Sequence, residues 1–240
     1  MIDIKNNNVI LYLETVLNKN IKNINIDDIT NLKMLVIDCS NDETFDYSII
    51  KYFKNLDTLS IFNSNISEED INLIEKNTSL ATIKIVKSSF DNEKSLEKLS
   101  FIKSLELSNC VIKNYEFLNK MNMLEVLKVQ NPSDETVIDL SNIENCFNLK
   151  QLVLNYCILD NVDKLGLLTN CELLSLLGTE INKFMFLQKM VSLRNLFISE
   201  KYVNDVKKLS LSSKINFDLI DYYFDKEEET DDFNLTRKLN

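Results

Sequence analysis

The apolar triplet in Cys171-Glu-Leu-Leu174-Ser-Leu176 recurs along the chain at a nearly fixed interval, and few folds are compatible with that recurrence. The pattern apolar-x-x-apolar-x-apolar is filled at Leu32/Leu35/Ile37, Leu56/Leu59/Ile61, Leu80/Ile83/Ile85, Ile102/Leu105/Leu107, Leu124/Leu127/Val129, Leu149/Leu152/Leu154, Cys171/Leu174/Leu176 and Leu193/Leu196/Ile198. All 8 × 3 = 24 positions are apolar, and the starts lie 24, 24, 22, 22, 25, 22 and 22 residues apart. Periods of this length belong to stacked architectures, in which a unit buries its apolar face only against its neighbours. The alternating end of each triplet reads as a short strand. After it the apolar spacing widens to three, as in Ile112, Tyr115, Leu118 and Met121 or Ile181, Phe184, Leu187 and Met190, which suits a 3₁₀ or loosely helical return. In the first two, longer units the return has room for a true helix, and Ser67-Glu68-Glu69-Asp70 ahead of Ile71 and Ile74 is a capped start for one.

A stack exposes unpaired edges at both ends, so the flanks should cover them. Val9, Ile10, Leu13, Val16 and Leu17 predict an amphipathic helix over 7–19, with an N-cap available in Asn6-Asn7-Asn8. The expected plan is one continuous α/β domain. Residues 1–31 form a helical cap, 32–214 about eight repeats with a parallel sheet on the concave face, and 215–224 a capping strand. The charge run Asp225-Lys-Glu-Glu-Glu-Thr-Asp-Asp232 opens a tail, 225–240, with little to bury and an expectation of disorder. Two glycines and one proline in 240 residues leave Asn, Asp and Ser to make the turns.

These residues resemble a leucine-rich-repeat protein, nearest to the 22-residue class of bacterial internalins, over roughly residues 7–220. The entry Ile24-Asn-Ile26-Asp-Asp-Ile29-Thr-Asn-Leu32 also resembles the N-terminal cap of that family. The resemblance implies a curved solenoid that binds through its concave face. One departure stands out: the family's Asn, eight residues after each unit start, is here Ser40, Ser64, Ser88, Cys110, Pro132, Cys157, Thr179 and Lys201. Ser and Thr can imitate its bonds to backbone whereas Pro132 cannot, so the ladder should be irregular near 130–148.

Little supports catalysis. The chain has no His, the commonest general base and zinc ligand, and two glycines cannot build a phosphate loop. Glu68, Glu69 and Asp70 are better read as first-turn helix acids than as an acid/base or metal pair. Five cysteines at 39, 110, 146, 157 and 171 show no C-x-x-C spacing; four fall in the core register, and Cys39 alone is expected outside it and exposed. Neither an enzyme nor any cofactor or metal is therefore expected. A net charge of -10 argues against nucleic acid or an anionic membrane as the main partner. With no signal-like or membrane-spanning run, a soluble, cytoplasmic protein is the expectation, secretion staying open for a chain trimmed of its signal.

Binding is the function the pattern allows. Strand alternation puts the residues two, four and six after each unit start on the concave face, with the seventh nearby. Those columns hold Met34, Val36 and Phe62 at one end, then Lys84, Lys87, Glu106 and Lys128. Toward the other end stand Val126, Val153, Tyr156, Leu173, Leu177 and Phe197, apolar at positions that should be wet. The expected function is a protein–protein interaction module, taking a protein or peptide on this face; a fragment of a surface adhesin or receptor is the alternative. Self-association through the apolar patch, or cover by Phe233 and Leu235 of the tail, would also account for it. The lysine group would favour an acidic partner.

Overall fold

The computed structural model describes residues 4–41, 43–132, 136–209, 211 and the backbone of 216–217. Eight strands come from the repeats: β1 (Met34–Asp38), β2 (Thr58–Phe62), β3 (Thr82–Val86), β4 (Ser104–Ser108), β5 (Val126–Gln130), β6 (Gln151–Asn155), β7 (Leu173–Leu176) and β8 (Asn195–Ile198). They pair in sequence order, all parallel, into one sheet with β9 (Asn216–Phe217) at its far edge. The register carries the repeat without slippage, Leu35 lying beside Leu59, Ile83, Leu105, Leu127, Leu152, Leu174 and Leu196 in turn. Every position of the 24-residue pattern is buried except Leu32, which packs half-buried against the rest. Because the strand period is two, a one-residue slip would turn this whole set to water, so burial enforces the register.

The returns are mostly 3₁₀, as the spacing of three predicts: Glu116–Lys120, Ile143–Cys146, Val162–Leu167 and Met185–Lys189 all take that form. Of the two longer units, only the second carries a true helix. Glu68–Glu75 opens on a capping box in which the Ser67 hydroxyl accepts from the Asp70 amide while the Asp70 carboxylate accepts from the Ser67 amide. The first unit's return, Tyr47–Tyr52, is 3₁₀ instead. Its Asp46 cap bonds the Ser48 amide, two residues on, which fits the tighter winding.

Helix α1 (Asn7–Leu17) lies over β1 and closes the first edge. The Asn6 side-chain oxygen Oδ1 caps it by accepting from the Val9 amide at 2.8 Å. On the other side, Asn6 Nδ2 and Asn8 Nδ2 both donate to the Asp38 carbonyl, at 3.1 and 3.0 Å, and the Tyr12 hydroxyl donates to the Met34 carbonyl at 2.8 Å. Side chains thus occupy acceptors at both ends of the edge strand that another chain would otherwise pair with. The asparagine run read as an N-cap is therefore also an edge cover. At the other end, β9 pairs with β8, Asn195 beside Asn216 and Leu196 beside Phe217. The tail at 225–240 and the rest of the capping segment lie outside the described residues.

Asn6→Ala should lower stability by about 1–2 kcal/mol, because it removes a cap and a strand-edge bond together. Thermal melting checks this, and Asn7→Ala, whose side chain only reaches the exposed Glu43, should change little by comparison.

Candidate interaction surface

Three rows of side chains cross the sheet on the face turned from the core, and the register defines each. The row two residues past the unit start runs Met34, Thr58, Thr82, Ser104, Val126, Gln151, Leu173, Asn195. The central row runs Val36, Ser60, Lys84, Glu106, Lys128, Val153, Ser175, Phe197. The third holds Asp38, Phe62, Val86, Ser108, Gln130 and Asn155, with Leu177 just past the end of β7.

Of the residues expected here, Phe62, Lys84, Val126, Lys128, Val153, Leu173 and Phe197 stand on the sheet, and each is half-buried by its neighbours rather than fully wet. Glu106 sits between the two lysines, its Oε2 3.5 Å from Lys84 Nζ and 4.0 Å from Lys128 Nζ. One carboxylate shared by two ammonium groups leaves the central row with one uncompensated positive charge, in a chain of net charge -10. The apolar group is not continuous. Ser175 donates to Asn155 Oδ1 at 2.8 Å, and the same oxygen accepts from the Leu177 amide at 3.0 Å, so a buried polar pair separates Val153 from Phe197 and Leu177.

Lys87 and Tyr156 are not on the sheet. Both occupy a turn position seven residues past the unit start, where φ is positive in six successive units: Asn63, Lys87, Asn109, Asn131, Tyr156 and Gly178. Each of the first five donates its amide to a carbonyl in the next unit, for instance Lys87 to Ser108 at 2.9 Å and Tyr156 to Leu177 at 2.8 Å. Asn tolerates this left-handed geometry best among side-chain-bearing residues, which explains how so few glycines suffice. Lys87 and Tyr156 hold it at a greater steric cost. Tyr156 leans on Gly178: a Cβ there would lie 2.3 Å from Tyr156 Cδ1, so the tyrosine ring and the missing side chain fit together. The residue is 41% exposed even so.

Next to several of these turns a Ser, Thr or Cys side chain bonds neighbouring backbone. The Thr179 hydroxyl donates to the Leu154 carbonyl at 2.7 Å and accepts from the Cys157 amide at 3.1 Å. Ser88 does the same between the Val86 carbonyl and the Ser64 amide. Cys110 and Cys157 point their thiols at the carbonyls of Ile85 and Asn155, both at 3.3 Å. Pro132 can make no such bond; farther along, Val137–Asp139 pairs in parallel with Ile158–Asp160 of the next unit, as Asn65–Ile66 does with Ser89–Phe90.

Burial pushes the thiol of Cys110 up to about 11 and those of Cys146, Cys157 and Cys171 up to about 12. Cys39 is a correction to the expected exposed thiol: it packs half-buried against the core with Asn6 Nδ2 3.9 Å from its sulfur, and burial raises its pKa as well. No thiol is therefore primed as a nucleophile at neutral pH. Two of the three helix acids have specific partners, Asp70 through its capping box and Glu68 through Lys98 at 2.7 Å and Asn92 at 2.9 Å, and Glu69 shares the same first turn. Among the described residues no group of three or more His, Cys, Asp or Glu could hold a metal ion, and no helix is long and apolar enough to cross a membrane. The buried hydroxyl of Tyr115 has no hydrogen-bond partner among the described residues, but it faces the core rather than the surface.

One feature escaped the sequence reading. The residue one past each unit start forms a row at the strand entry, Lys33, Asp57, Ala81, Lys103, Glu125, Lys150, Glu172 and Arg194, linked by backbone bonds of 2.8–2.9 Å. Its charges alternate in sign apart from Ala81. Glu125 bridges Lys150 at 2.6 Å and Lys103 at 3.5 Å, and the Lys150 ammonium holds its carboxyl below the usual range. The signal was present at a fixed offset in the repeat, but only the strand register makes those residues neighbours.

Solved structures similar to this one include the internalin InlF of Listeria monocytogenes, at 18% identity and a TM-score of 0.65, over 88% of this chain and 68% of that one. Internalin C2 of the same species matches at 16% and 0.60, over 81% and 93% respectively. TLR13, in its complex with ssRNA13, matches at 17% and 0.56, over 84% of this chain and 35% of that one. The chain is a leucine-rich-repeat solenoid. Likeness at these identities speaks for the fold alone. No protein-family model matches the sequence, and no curated protein does.

Two measurements test this account of the solenoid. Gly178→Ala should destabilise by about 1–3 kcal/mol through overpacking against Tyr156 and positive φ. Tyr156→Ala in the same chain should recover part of that loss, so the cycle yields a nonzero coupling. The thiols predict a pH dependence: their folded pKa values exceed the unfolded value of about 8.5, so the folded state favours the protonated form. Their contribution is complete below about pH 8.5 and declines as pH rises toward about 12, so the melting temperature should hold from pH 6 to 8 and then fall. Substituting the four buried cysteines by Ala or Ser one at a time should each reduce that alkaline slope.

Proposed function

We propose that the solenoid is a non-catalytic interaction module that binds a protein or peptide across its concave sheet face. One observation carries this: half-buried apolar side chains at Val126, Val153, Leu173, Leu177 and Phe197 stand on the face opposite the core, beside a lysine pair with spare positive charge. Apolar groups partly covered by their neighbours lose little more rotamer freedom when a partner completes the burial, which favours them as anchors. Eight strands at about 4.8 Å give a face roughly 35–40 Å long, enough for an extended segment. Lys84 and Lys128 add selection for acidic groups, and Phe62 marks the other end of the face. Lys87 and Tyr156, on the turns, border the surface rather than line it.

The chain's acidity supports a protein over a nucleic acid, because one spare charge in the central row cannot displace the counterions of a phosphate backbone. The presence of ssRNA13 with TLR13 is a property of that complex. The alternative is a surface adhesin or receptor fragment; the same face would serve in either case.

Leu173→Ser with Phe197→Ser should abolish capture of a partner from native lysate, by tenfold or more, with a melting temperature within a few degrees of wild type. Met185→Ser, at an exposed apolar site on a return, is the control and should capture normally. Undiminished capture by the double variant would place binding elsewhere. A concentration-dependent dimer in sedimentation, lost in the same double variant, would mean that the patch serves self-association.

A further inference from the structure

Charge on the outer face of the sheet is concentrated at one point. Across the three rows, the charged residues among those described are Lys84, Glu106, Lys128 and, on the first strand, Asp38. Glu106 stands between the two lysines, 3.5 and 4.0 Å from their ammonium groups. Its side chain is 22% exposed and those of Lys84 and Lys128 are 43% and 39%, so a group arriving from solvent meets the ammonium groups first. One incoming carboxylate brings this trio to neutrality. A second finds no free counter-charge, lies near Glu106 and approaches a chain of net charge -10. Leu173 and Phe197 stand three and four strands from Glu106. At about 4.8 Å per strand these are separations of about 14 and 19 Å. An extended chain laid across the strands advances about 3.3 Å per residue and turns every second side chain to the same side. Side chains four and six residues from one seated on the lysines therefore lie at about 13 and 20 Å, over Leu173 and Phe197, on the side that faces the sheet.

We propose that the partner is an extended segment of another protein, with a single acidic side chain between Lys84 and Lys128 and apolar side chains four and six residues from it, on Leu173 and Phe197. This rests on the concave face being the binding surface, and it names the chemistry that surface reads. Glu106 sets the selectivity: it leaves charge for one acid and repels a run of them.

Two synthetic peptides with blocked ends test this, Asp-Ser-Thr-Ser-Leu-Ser-Phe and the reversed order Phe-Ser-Leu-Ser-Thr-Ser-Asp, each carrying a fluorophore and titrated with the full chain by fluorescence anisotropy. One of them should bind roughly fivefold more tightly than its counterpart with Asn in place of Asp, and than one with the acid moved two residues closer to Leu. Lys84→Met with Lys128→Met should bring the Asp peptide down to the level of the Asn peptide and leave the Asn peptide unchanged. Glu106→Gln should raise affinity for a peptide with Asp-Asp in place of Asp by more than it does for the single-Asp peptide. Equal affinity for the Asp and Asn peptides overturns the proposal. So does binding that survives Leu173→Ser with Phe197→Ser, or no binding of either peptide up to about 1 mM. Saturable association of labelled with unlabelled copies of the chain, in place of peptide binding, overturns it in favour of a second copy as the occupant. Capture from lysate is scored separately. Failure with the peptides, with capture still lost in the Leu173→Ser, Phe197→Ser variant, leaves the binding surface standing and removes only this class of partner.

Discussion

Everything in this molecule depends on the in-register parallel stacking of units, none of which can bury its own apolar face. The inward triplets are covered only because Leu35, Leu59, Ile83 and their successors lie side by side across the sheet. Stability in such an array is close to a sum of unit terms and nearest-neighbour interfaces. The ends then matter most, since each terminal strand lacks one neighbour. At the N-terminal end α1 supplies the missing cover, and Asn6, Asn8 and Tyr12 satisfy carbonyls of β1 that no strand pairs. The interior is held by two side-chain systems flanking the sheet, the alternating charges at strand entry and the hydroxyl and thiol bonds at the turns.

Those two systems are not energetically alike. The charges from Lys103 to Lys150 are exposed, so each pair adds little to stability, and their alternation mainly avoids the repulsion that like neighbours 5 Å apart would bring. The turn bonds of Ser88 and Thr179 are buried and satisfy backbone groups that water cannot reach, where a lost partner leaves the full desolvation penalty. A thiol in the same place, as at Cys110 and Cys157, is a weaker donor but fills the space as a small hydrophobe. That exchange accounts for Cys110 and Cys157, whereas Cys146 and Cys171 are buried in a return and at a unit start, where a free thiol packs as a small hydrophobe.

The apolar period, the strand positions and which residues face out were all readable in the sequence, because burial alone dictates them and burial has a period. The Ser67–Asp70 capping box was readable for a similar reason: its partners are three residues apart. What depended on contacts between units was not. Nothing local says that Tyr156 adopts positive φ, since that follows from its amide reaching Leu177 and its ring finding the space left by Gly178. The Asn155–Ser175 bond that divides the apolar patch joins residues 20 apart, and the half-burial of Cys39 comes from Asn6, 33 positions away. The 3₁₀ winding of Tyr47–Tyr52 was missed because a longer unit permits a helix without requiring one.

The separation between what holds the fold and what the outer face of the sheet displays bears on function. The core triplets, the turn bonds and the end covers account for the solenoid without calling on Leu173, Val153 or Phe197. These three stand on strands whose opposite faces are already buried, and replacing them by small polar residues would leave each strand's ladder of backbone bonds intact. Natural sheets facing solvent on one side alternate apolar with polar for this reason, and the same face of this sheet does so at Thr58, Ser60, Thr82 and Ser104. The departure from that habit clusters at Val126, Val153, Leu173 and Phe197 and recurs at Met34, Val36 and Phe62 toward the other end. Stacking supplies no reason for these side chains, since all the units stack alike; the proposed binding of a partner across this face would supply one.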